Sequence, residues 1–460
     1  MFTPTTLSAL SHPLRLGALA LTFALTLPAC STRTALAPDA LATSSAAPAN
    51  PLAQWWQQIN DPLLTSLITQ ALQANTSIRS AQAALQQSRA LRDIGAAGLL
   101  PTLATAGSAQ RSRANGQDAS NSFRAELDAS WEPDIFGRKR DTLNAAEADA
   151  QALQATLADV QVSVAAEVAL AYIELRGQQA QLAIARNNLA SQQETLQITD
   201  WRAQAGLTTS LEVEQARTAS EQTSAQVPLL EAGIARTSHS LAVLTGQRPQ
   251  ALLTQLKEAR PIPQAAASLT LDIAAQTLRQ RPDVRAAELR ITAALARVSA
   301  AQAARYPGFS IGGSFSVNAQ TLAALGNGSA LASALLSSLS LPLFDGGATQ
   351  AQVLVQEAAL EQARANYQAA LKNALQDVAN ALVALAGDRS RLTHLQSAAE
   401  AAGNAALLAQ HRYSSGLIDF QTVLQTQRTL LTAQDSVASG TANIGTDHVR
   451  LYKALGGGWN

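Results

Sequence analysis

From Phe344 to Gly456 the chain runs for more than a hundred residues without a proline. Within that stretch Leu371, Leu375, Val378, Leu382, Leu385 and Leu392 fall four, three, four, three and seven residues apart. This is the seam of a helix that packs lengthwise along other helices, a coiled-coil period rather than a globular one. The pattern is interrupted once, at Ser414-Ser415-Gly416-Leu417-Ile418-Asp419-Phe420, where a glycine among small polar residues can end one helix and start its return. The spacing predicts a very long helical hairpin. Alanine supplies much of a 47% hydrophobic content while aromatics make up only 4%, which suits close helix-on-helix packing better than one large core. A net charge of zero lacks the basic footprint of a nucleic-acid binder, so no nucleic acid is expected as a partner.

At the N-terminus Arg15 precedes an apolar run from Leu16 to Leu27, followed by Pro28-Ala29-Cys30. The run is shorter than the ~20 apolar residues that cross a bilayer, so residues 1–29 read as a secretory signal peptide. Cys30 is the only cysteine, which excludes an intrachain disulfide. The residues after it, up to 51, are rich in Ala, Pro, Ser and Thr and read as a tether.

The rest of the chain matches itself at a long period. Ile78-Arg79-Ser80-Ala81 lies over Val284-Arg285-Ala286-Ala287, Pro101 over Pro307, Gly107 over Gly313, and Glu167-Val168-Ala169 over Asp377-Val378-Ala379. Gly206-Leu207 lies over Gly416-Leu417, and Leu241 with Gly246 over Leu451 with Gly456. Two copies of one unit are therefore expected, residues 52–246 and 264–460, joined by a linker over 247–263; short-period solenoids are excluded. Each copy reads as a half-length helix, a β-hairpin (101–135 and 307–344), a long helix, a glycine turn and a returning half-length helix. Asp61 and Pro62 predict an N-cap and first position of a helix running to about Gly98.

In the first hairpin Phe123, Ala125, Leu127, Ala129 and Trp131 alternate with Arg124, Glu126, Asp128 and Ser130, a strand with one apolar and one wet face. The partner strand, Leu103 to Arg111, alternates weakly and rests on analogy with its repeat. The second hairpin alternates more strongly: Phe309, Ile311, Phe315 and Val317, then Leu331, Leu335, Leu339, Leu341 and Leu343. Asn- and Gly-containing stretches, Asn115 to Asn121 and Ala319 to Gly328, can close the hairpins. Strands of about ten residues have the length of a tilted outer-membrane span, and Trp131 and Phe344 lie near the ends of two of them. Four strands cannot close a barrel, which takes about eight or more, so the chain is expected to pool strands with copies of itself; three copies would give twelve.

The long helices are expected from Gly137 to Ala205 and from Gly347 to Ser415, with Leu175, Leu182, Leu189 and Leu196 repeating at sevens in the first. About 68 residues at 1.5 Å each reach about 100 Å, and the half-length helices could stack end to end to a similar length.

Several of these residues resemble the outer-membrane efflux factor family, the TolC-like channels, and within it the lipidated NodT-type branch. The resemblance covers essentially the whole mature chain. It rests on Leu27-Pro28-Ala29-Cys30, similar to a lipobox, and on Trp131-Glu132-Pro133-Asp134-Ile135-Phe136-Gly137-Arg138 and Leu341-Pro342-Leu343-Phe344-Asp345-Gly346-Gly347, which close the hairpins. The ending Leu451-Tyr452-Lys453-Ala454-Leu455-Gly456-Gly457-Gly458-Trp459 completes it. The resemblance implies a homotrimer, a twelve-stranded outer-membrane barrel with four strands per chain continued by a periplasmic α-helical coiled-coil barrel, and lipidation of Cys30. It implies a passive exit duct for small molecules or drugs in a Gram-negative cell, opened by a periplasmic adaptor and an inner-membrane RND-type pump. The turns around Arg202, Gly206 and Leu207 and around Arg412, Gly416 and Leu417 would be the periplasmic tips that contact the adaptor. Relatives close the tip partly through a tyrosine–acid hydrogen bond, and Tyr413 and Glu212 fall at those positions. Thr422 and Gln425 stand where many relatives place pore-facing aspartates, and Ile418 where some have an arginine; Asp419 could supply charge or act only as a helix cap.

No enzyme motif, cofactor site or metal site emerges. His239, His394, His411 and His448 lie at no metal-ligand spacing and read as residues on solvated helix faces. Gly308 to Gly313 lacks the Gly-Lys-Ser/Thr ending of a phosphate loop, and Glu167, Glu174 and Asp377 read as exposed or salt-bridged. Arg111, Arg113, Arg124 and Arg138 to Arg140 could form a solvated rim at the barrel ends. A non-conducting trimeric coiled-coil lipoprotein with a structural or adhesive role is the alternative; it accounts for the heptads and the anchor but not for the paired hairpins.

Overall fold

The structure, a computed structural model, describes residues 54–113, 116, 118–264, 279–326 and 331–457. The signal peptide, Cys30, the tether, and Gly458 with Trp459 lie outside the described residues. The chain divides into two compact units, one holding residues 98–135 and 306–343 and the other the remaining described residues.

The first unit is an antiparallel four-stranded sheet in the order β1-β2-β3-β4, with β1 over Thr102–Ser112, β2 over Ser120–Trp131, β3 over Gly308–Ala319 and β4 over Leu331–Ser340. The register sets Leu127 opposite Thr105 and Phe315, and Gly313 opposite Leu335. Directly paired residues share a face, so Leu103, Phe123, Leu127, Trp131, Ile311, Phe315, Val317, Leu331, Leu335 and Leu339 form one apolar surface. Apart from the half-buried Phe123 and Val317, its side chains are exposed in the single chain, Leu335 at 84%. The opposite face carries Arg124, Glu126, Asp128, Ser310, Ser314 and Asn318, with Arg124 forked onto Glu126 at 2.7 and 3.0 Å. Among the described residues the outer edges of β1 and β4 pair with no strand. Leu341 and Leu343, expected in the last strand, fall beyond its end at Ser340. Pro342 has no N–H to give a ladder and restricts the residue before it.

The second unit is helical. Its main elements are α1 (Pro62–Ala74), α2 (Thr76–Ala97), α3 (Arg138–Gln204), α4 (Ser210–Leu244), the short α5 (Leu253–Leu256), α6 (Pro282–Ala303), α7 (Ala348–Ser414) and α8 (Phe420–Ala454). Helices α3 and α7 each have 67 residues, and α4 and α8 each have 35. Asp61 accepts from the N–H groups of Leu63 and Leu64 at 2.9 and 3.1 Å, with Pro62 first in the helix. The single helix expected from there to about Gly98 is instead two. Asn75 turns extended (ψ 135°), gives its N–H to Ala71, and accepts from Ser77 N–H at 2.8 Å as the cap of α2.

That break places a helix start where another helix ends. Asn75 Nδ2 donates to the Leu244 carbonyl at the end of α4, at 2.8 Å. Arg281, at the corresponding cap of α6, donates to the Ala454 carbonyl at the end of α8, also at 2.8 Å. In both copies a side chain at the head of the entering helix satisfies a carbonyl that the returning helix leaves without an internal partner.

The main core lies where the copies meet, from Trp55, Leu64, Leu67, Ile68, Tyr172, Ile173, Leu175, Leu241, Val449 and Tyr452. Trp55 stacks on Tyr452 with centroids 5.0 Å apart. Helix α3 is long and apolar enough to cross a membrane by length and composition, but Val164, Val168, Tyr172 and Leu175 are buried in this core. At its edge the buried Arg176 donates to Gln179 Oε1 and to the linker carbonyl of Glu258, both at 2.6 Å, and to Tyr172 Oη at 3.0 Å. Tyr172 in turn donates to Asp61 Oδ2 at 2.8 Å. The linker is thereby tied to α3 and to the cap of α1. In α7 the buried stripe is Ala374, Val378, Ala381 and Leu385, while Leu375 and Leu382 of the expected seam are 51% and 40% exposed. Small side chains on the inner stripe let α6 and α8 approach closely, which turns the two leucines outward.

Candidate functional site at the hairpin tips

Both hairpins turn through the same hydrogen-bond pattern. Gly206 N–H donates to Ala203 O and Leu207 N–H to Arg202 O; Gly416 N–H donates to Tyr413 O and Leu417 N–H to Arg412 O. This is the Schellman closure, which needs a left-handed residue after the helix, and Gly206 and Gly416 have φ of 71° and 73°. Leu207 and Leu417, 70% and 73% exposed, project from the turns, and Arg412 is exposed beside them.

The two tips meet through Tyr413, which donates from Oη to Glu212 Oε2 at 3.1 Å. Thr208 donates to the same oxygen. The Arg202 guanidinium lies over the tyrosine ring, 4.8 Å from its centroid, and the Phe420 ring is 5.3 Å away. Leu196, Ala216, Ala219 and Leu424 complete a small apolar cluster beneath. Burial first, then the Glu212 carboxylate, hold the Tyr413 hydroxyl above the ordinary tyrosine range, so it stays protonated and remains a donor.

Asp419 is the N-cap of α8: its Oδ1 accepts from Thr422 N–H at 2.8 Å and from the Thr422 hydroxyl at 2.6 Å. Those bonds, the hydroxyl's foremost, lower its pKa, so the exposed carboxylate is charged while it caps. Its counterpart Thr209 makes no side-chain cap. Thr422 and Gln425 are exposed, three positions apart on one face of α8.

Above the tips α3 and α8 are joined by polar bridges: Thr195 to Gln427 at 3.1 Å, Asn188 to Gln434 at 3.0 Å and Gln181 to Ser439 at 3.0 Å. Gln181, Asn188, Thr195 and Arg202 recur at sevens, each one position before the leucine heptad in its first three members. The period is visible in the sequence, whereas the polar bridges beside it, the Thr208 bond to Glu212 and the packing of Phe420 on Tyr413 are set by the fold.

Of the other residues weighed, Glu167 and Glu174 are exposed and Asp377 pairs with Arg281 at 3.2 Å. His448, expected on a solvated face, is instead 2% exposed. The end of α8 is enclosed by α7 and the main core, so its histidine has no solvated side to occupy. Among the described residues no group of three or more His, Cys, Asp or Glu side chains could hold a metal.

The pattern of the outer membrane efflux protein family matches residues 67–247 and 273–457. The chain is 31% identical to the probable efflux pump outer membrane protein SepC of Pseudomonas putida, over 88% of this chain and 85% of that protein. It is 33% identical to the pyoverdine export outer membrane protein OpmQ of Pseudomonas putida, over 95% and 97%. The solved outer-membrane channel OprN is 35% identical, with a TM-score of 0.83 over 88% of this chain and 93% of that one. The repeat, the strand hairpins and the paired tips therefore have one common explanation: the chain belongs to the outer membrane efflux protein family.

Proposed function

We propose that the protein is the outer-membrane channel of a tripartite efflux system, a passive exit duct for small molecules or drugs. The observation that carries this reading is the sheet: an apolar face, a polar face and two open edges. A four-stranded sheet with both edges free closes by pairing β1 of one chain with β4 of the next, and three chains make a twelve-stranded barrel with lipid outside and water inside. The apolar face supplies the lipid side and the row of Arg124, Glu126 and Asp128 the aqueous side.

In this reading each chain carries two structural repeats, 52–246 and 264–460, joined by the linker 247–263. The helical unit lies in the periplasm, and residues 30–51 tether it to a lipidated Cys30 in the outer membrane. A periplasmic adaptor docks on the tips through Arg202, Gly206, Leu207, Arg412, Gly416 and Leu417, and an inner-membrane RND-type pump feeds the duct. The gate is the Tyr413–Glu212 bond. Asp419 contributes fixed negative charge at the entrance, and Thr422 with Gln425 give a neutral rather than acidic constriction. Leu375 and Leu382, outward in the single chain, pack against the neighbouring subunit.

Planar-bilayer conductance of the purified trimer tests the reading, using wild type and the double variant Tyr413→Phe with Glu212→Gln. The variant is expected to conduct far more than wild type. A folded, membrane-inserted trimer that carried no current in either form and supported no export would refute the duct and leave the non-conducting lipoprotein.

A further inference from the structure

The duplication supplies an internal control for one half-buried pair of side chains. In the first copy Thr237 on α4 donates from its hydroxyl to Gln178 Oε1 on α3 at 3.2 Å, a neutral bond joining the long helix to the returning one. The displacement that carries Gly206 to Gly416 and Gly246 to Gly456 carries Gln178 to Asp388 on α7 and Thr237 to Asp447 on α8. The second copy thus places two carboxyls where the first places an acceptor and its donor. Asp447 is 2% exposed, and no protein donor reaches its Oδ2.

We propose that Asp388 and Asp447 share one proton and form a proton-operated latch between α7 and α8. Two facing carboxyls make the bond that Thr237 and Gln178 make only if one of them is protonated, because an ionised carboxylate accepts and cannot donate. When the proton leaves to water, two like charges face one another in a partly desolvated seam and the helices are pushed apart.

The surrounding charges do not remove that requirement. Arg450, one turn along α8, lies 3.4 Å from Asp447 Oδ1, and Arg391, on α7, lies 3.8 Å from Asp388 Oδ1. Both arginine side chains are largely exposed, at 62% and 58%, so water screens them, and Asp447 Oδ2 has no hydrogen-bond partner. Arg389 is turned to His448, donating to its Nε2 at 3.1 Å, while His448 Nδ1 donates to the Ile444 carbonyl at 2.8 Å. An arginine can only donate, which fixes that tautomer. Burial foremost, with the adjacent arginine, lowers the pKa of the imidazole, so it is neutral and offers the seam no cation. On α3, which packs against the other side of α8, Arg176 is turned to the linker carbonyl of Glu258 and Glu174 accepts from Gln178. Burial, and next the facing Asp388, raise the pKa of Asp447 above the ordinary carboxylate range.

The direction of the pH effect follows. For an acid whose pKa is higher folded than unfolded, stability is full below the unfolded value and is lost as pH rises through the folded value. The latch therefore holds in acid and loosens toward neutral pH.

The test uses the detergent-purified full-length protein and reads proton occupancy and helix packing rather than transport, so it stands or falls separately from the duct. The variant Asp388→Gln with Asp447→Thr installs the first copy's neutral pair. Thermal unfolding is followed from about pH 4 to pH 8, together with the infrared C=O band of a protonated carboxylic acid. Relative to this variant, wild type is expected to lose thermal stability as pH rises, and the wild-type-minus-variant infrared difference is expected to show an extra carboxylic-acid band at the low-pH end. If the double variant does not fold, Asp447→Asn keeps a donor toward Asp388 and is expected to remove the same pH dependence. Identical pH profiles for wild type and the folded variant, or no carboxylic-acid band assignable to the pair at the acid end, would overturn the latch.

Discussion

Gly246 and Gly206 close helix ends with the same backbone angle, φ 71°, and differ only in what surrounds them. An L-residue in this region costs roughly 1–2 kcal/mol wherever it occurs. A Cβ at Gly206 would meet nothing within 4 Å, whereas one at Gly246 would lie 2.6 Å from the Ala74 carbonyl oxygen and 2.9 Å from Ala74 Cβ. The obstruction is largely backbone, so relief requires moving the end of α1 away from α4. Overpacking of that kind adds about 1–3 kcal/mol, and withdrawing α1 stretches the Asn75–Leu244 bond, worth about 1 kcal/mol. Gly206→Ala is therefore expected to cost about 1–2 kcal/mol and Gly246→Ala about 3–6 kcal/mol. Gly456→Ala should fall between them, because its nearest contacts, Arg281 Cγ at 3.0 Å and Arg281 Cα at 3.2 Å, are looser than those at Gly246. The assay is loss of helical circular dichroism on heating the three variants in one detergent. Equal losses at 206 and 246 would refute the reasoning, since the strain is common to both and only the clash separates them.

Tyr413→Phe removes a bond to a carboxylate while keeping the ring beside Phe420 and under Arg202. At about 1.4 kcal/mol per tenfold shift, single-channel open probability should rise roughly tenfold per protomer affected; an unchanged record would remove Tyr413 from the gate. Leu335→Lys places a charge on the apolar face and should reduce trimer insertion into vesicles by about 2–4 kcal/mol. Leu336→Lys, on the opposite face, should leave insertion unaltered and change conductance; similar insertion of the two would contradict the face assignment. Asp419 and Asp345 accept from the first turns of α8 and α7, and their pKa values are lowered by the Thr422 and Thr349 side chains foremost. Their stabilisation is present above the ordinary carboxylate value and lost as pH falls through the lowered one. Asp419→Asn should thus flatten the acid limb of a thermal-stability profile, and an unaltered limb would count against the cap.

Long-range period was the most readable property of this chain. An uninterrupted 3.5-residue seam can be satisfied only by a helix lying along others, so the long helices and their glycine turns were fixed by local chemistry. The strand faces were similarly legible because alternation has period two, and the register then joined the apolar rows of Phe123 to Trp131 and of Ile311 to Val317. The sequence also carried Asp61 as a cap, since that role needs only a side-chain oxygen and the next two N–H groups.

What failed to show in the sequence depended on partners remote along the chain. Asn75 in an alanine-rich run reads as a tolerable helix residue; it breaks the helix where its amide can also satisfy Leu244, 169 residues away. The seam named Leu375 and Leu382, but a heptad specifies an apolar row and not the neighbour it faces, and the closer approach went to Ala374 and Ala381. His448 and Asp447 stand among polar residues at the end of α8, and only the packing of α7 and the core around them makes one a buried neutral donor and the other a buried acid. The sequence alone determined the extent of the two long helices, their glycine turns and the alternating faces of the strands. The tertiary structure alone decided which faces meet, because burial is a property of the neighbours and not of the residue.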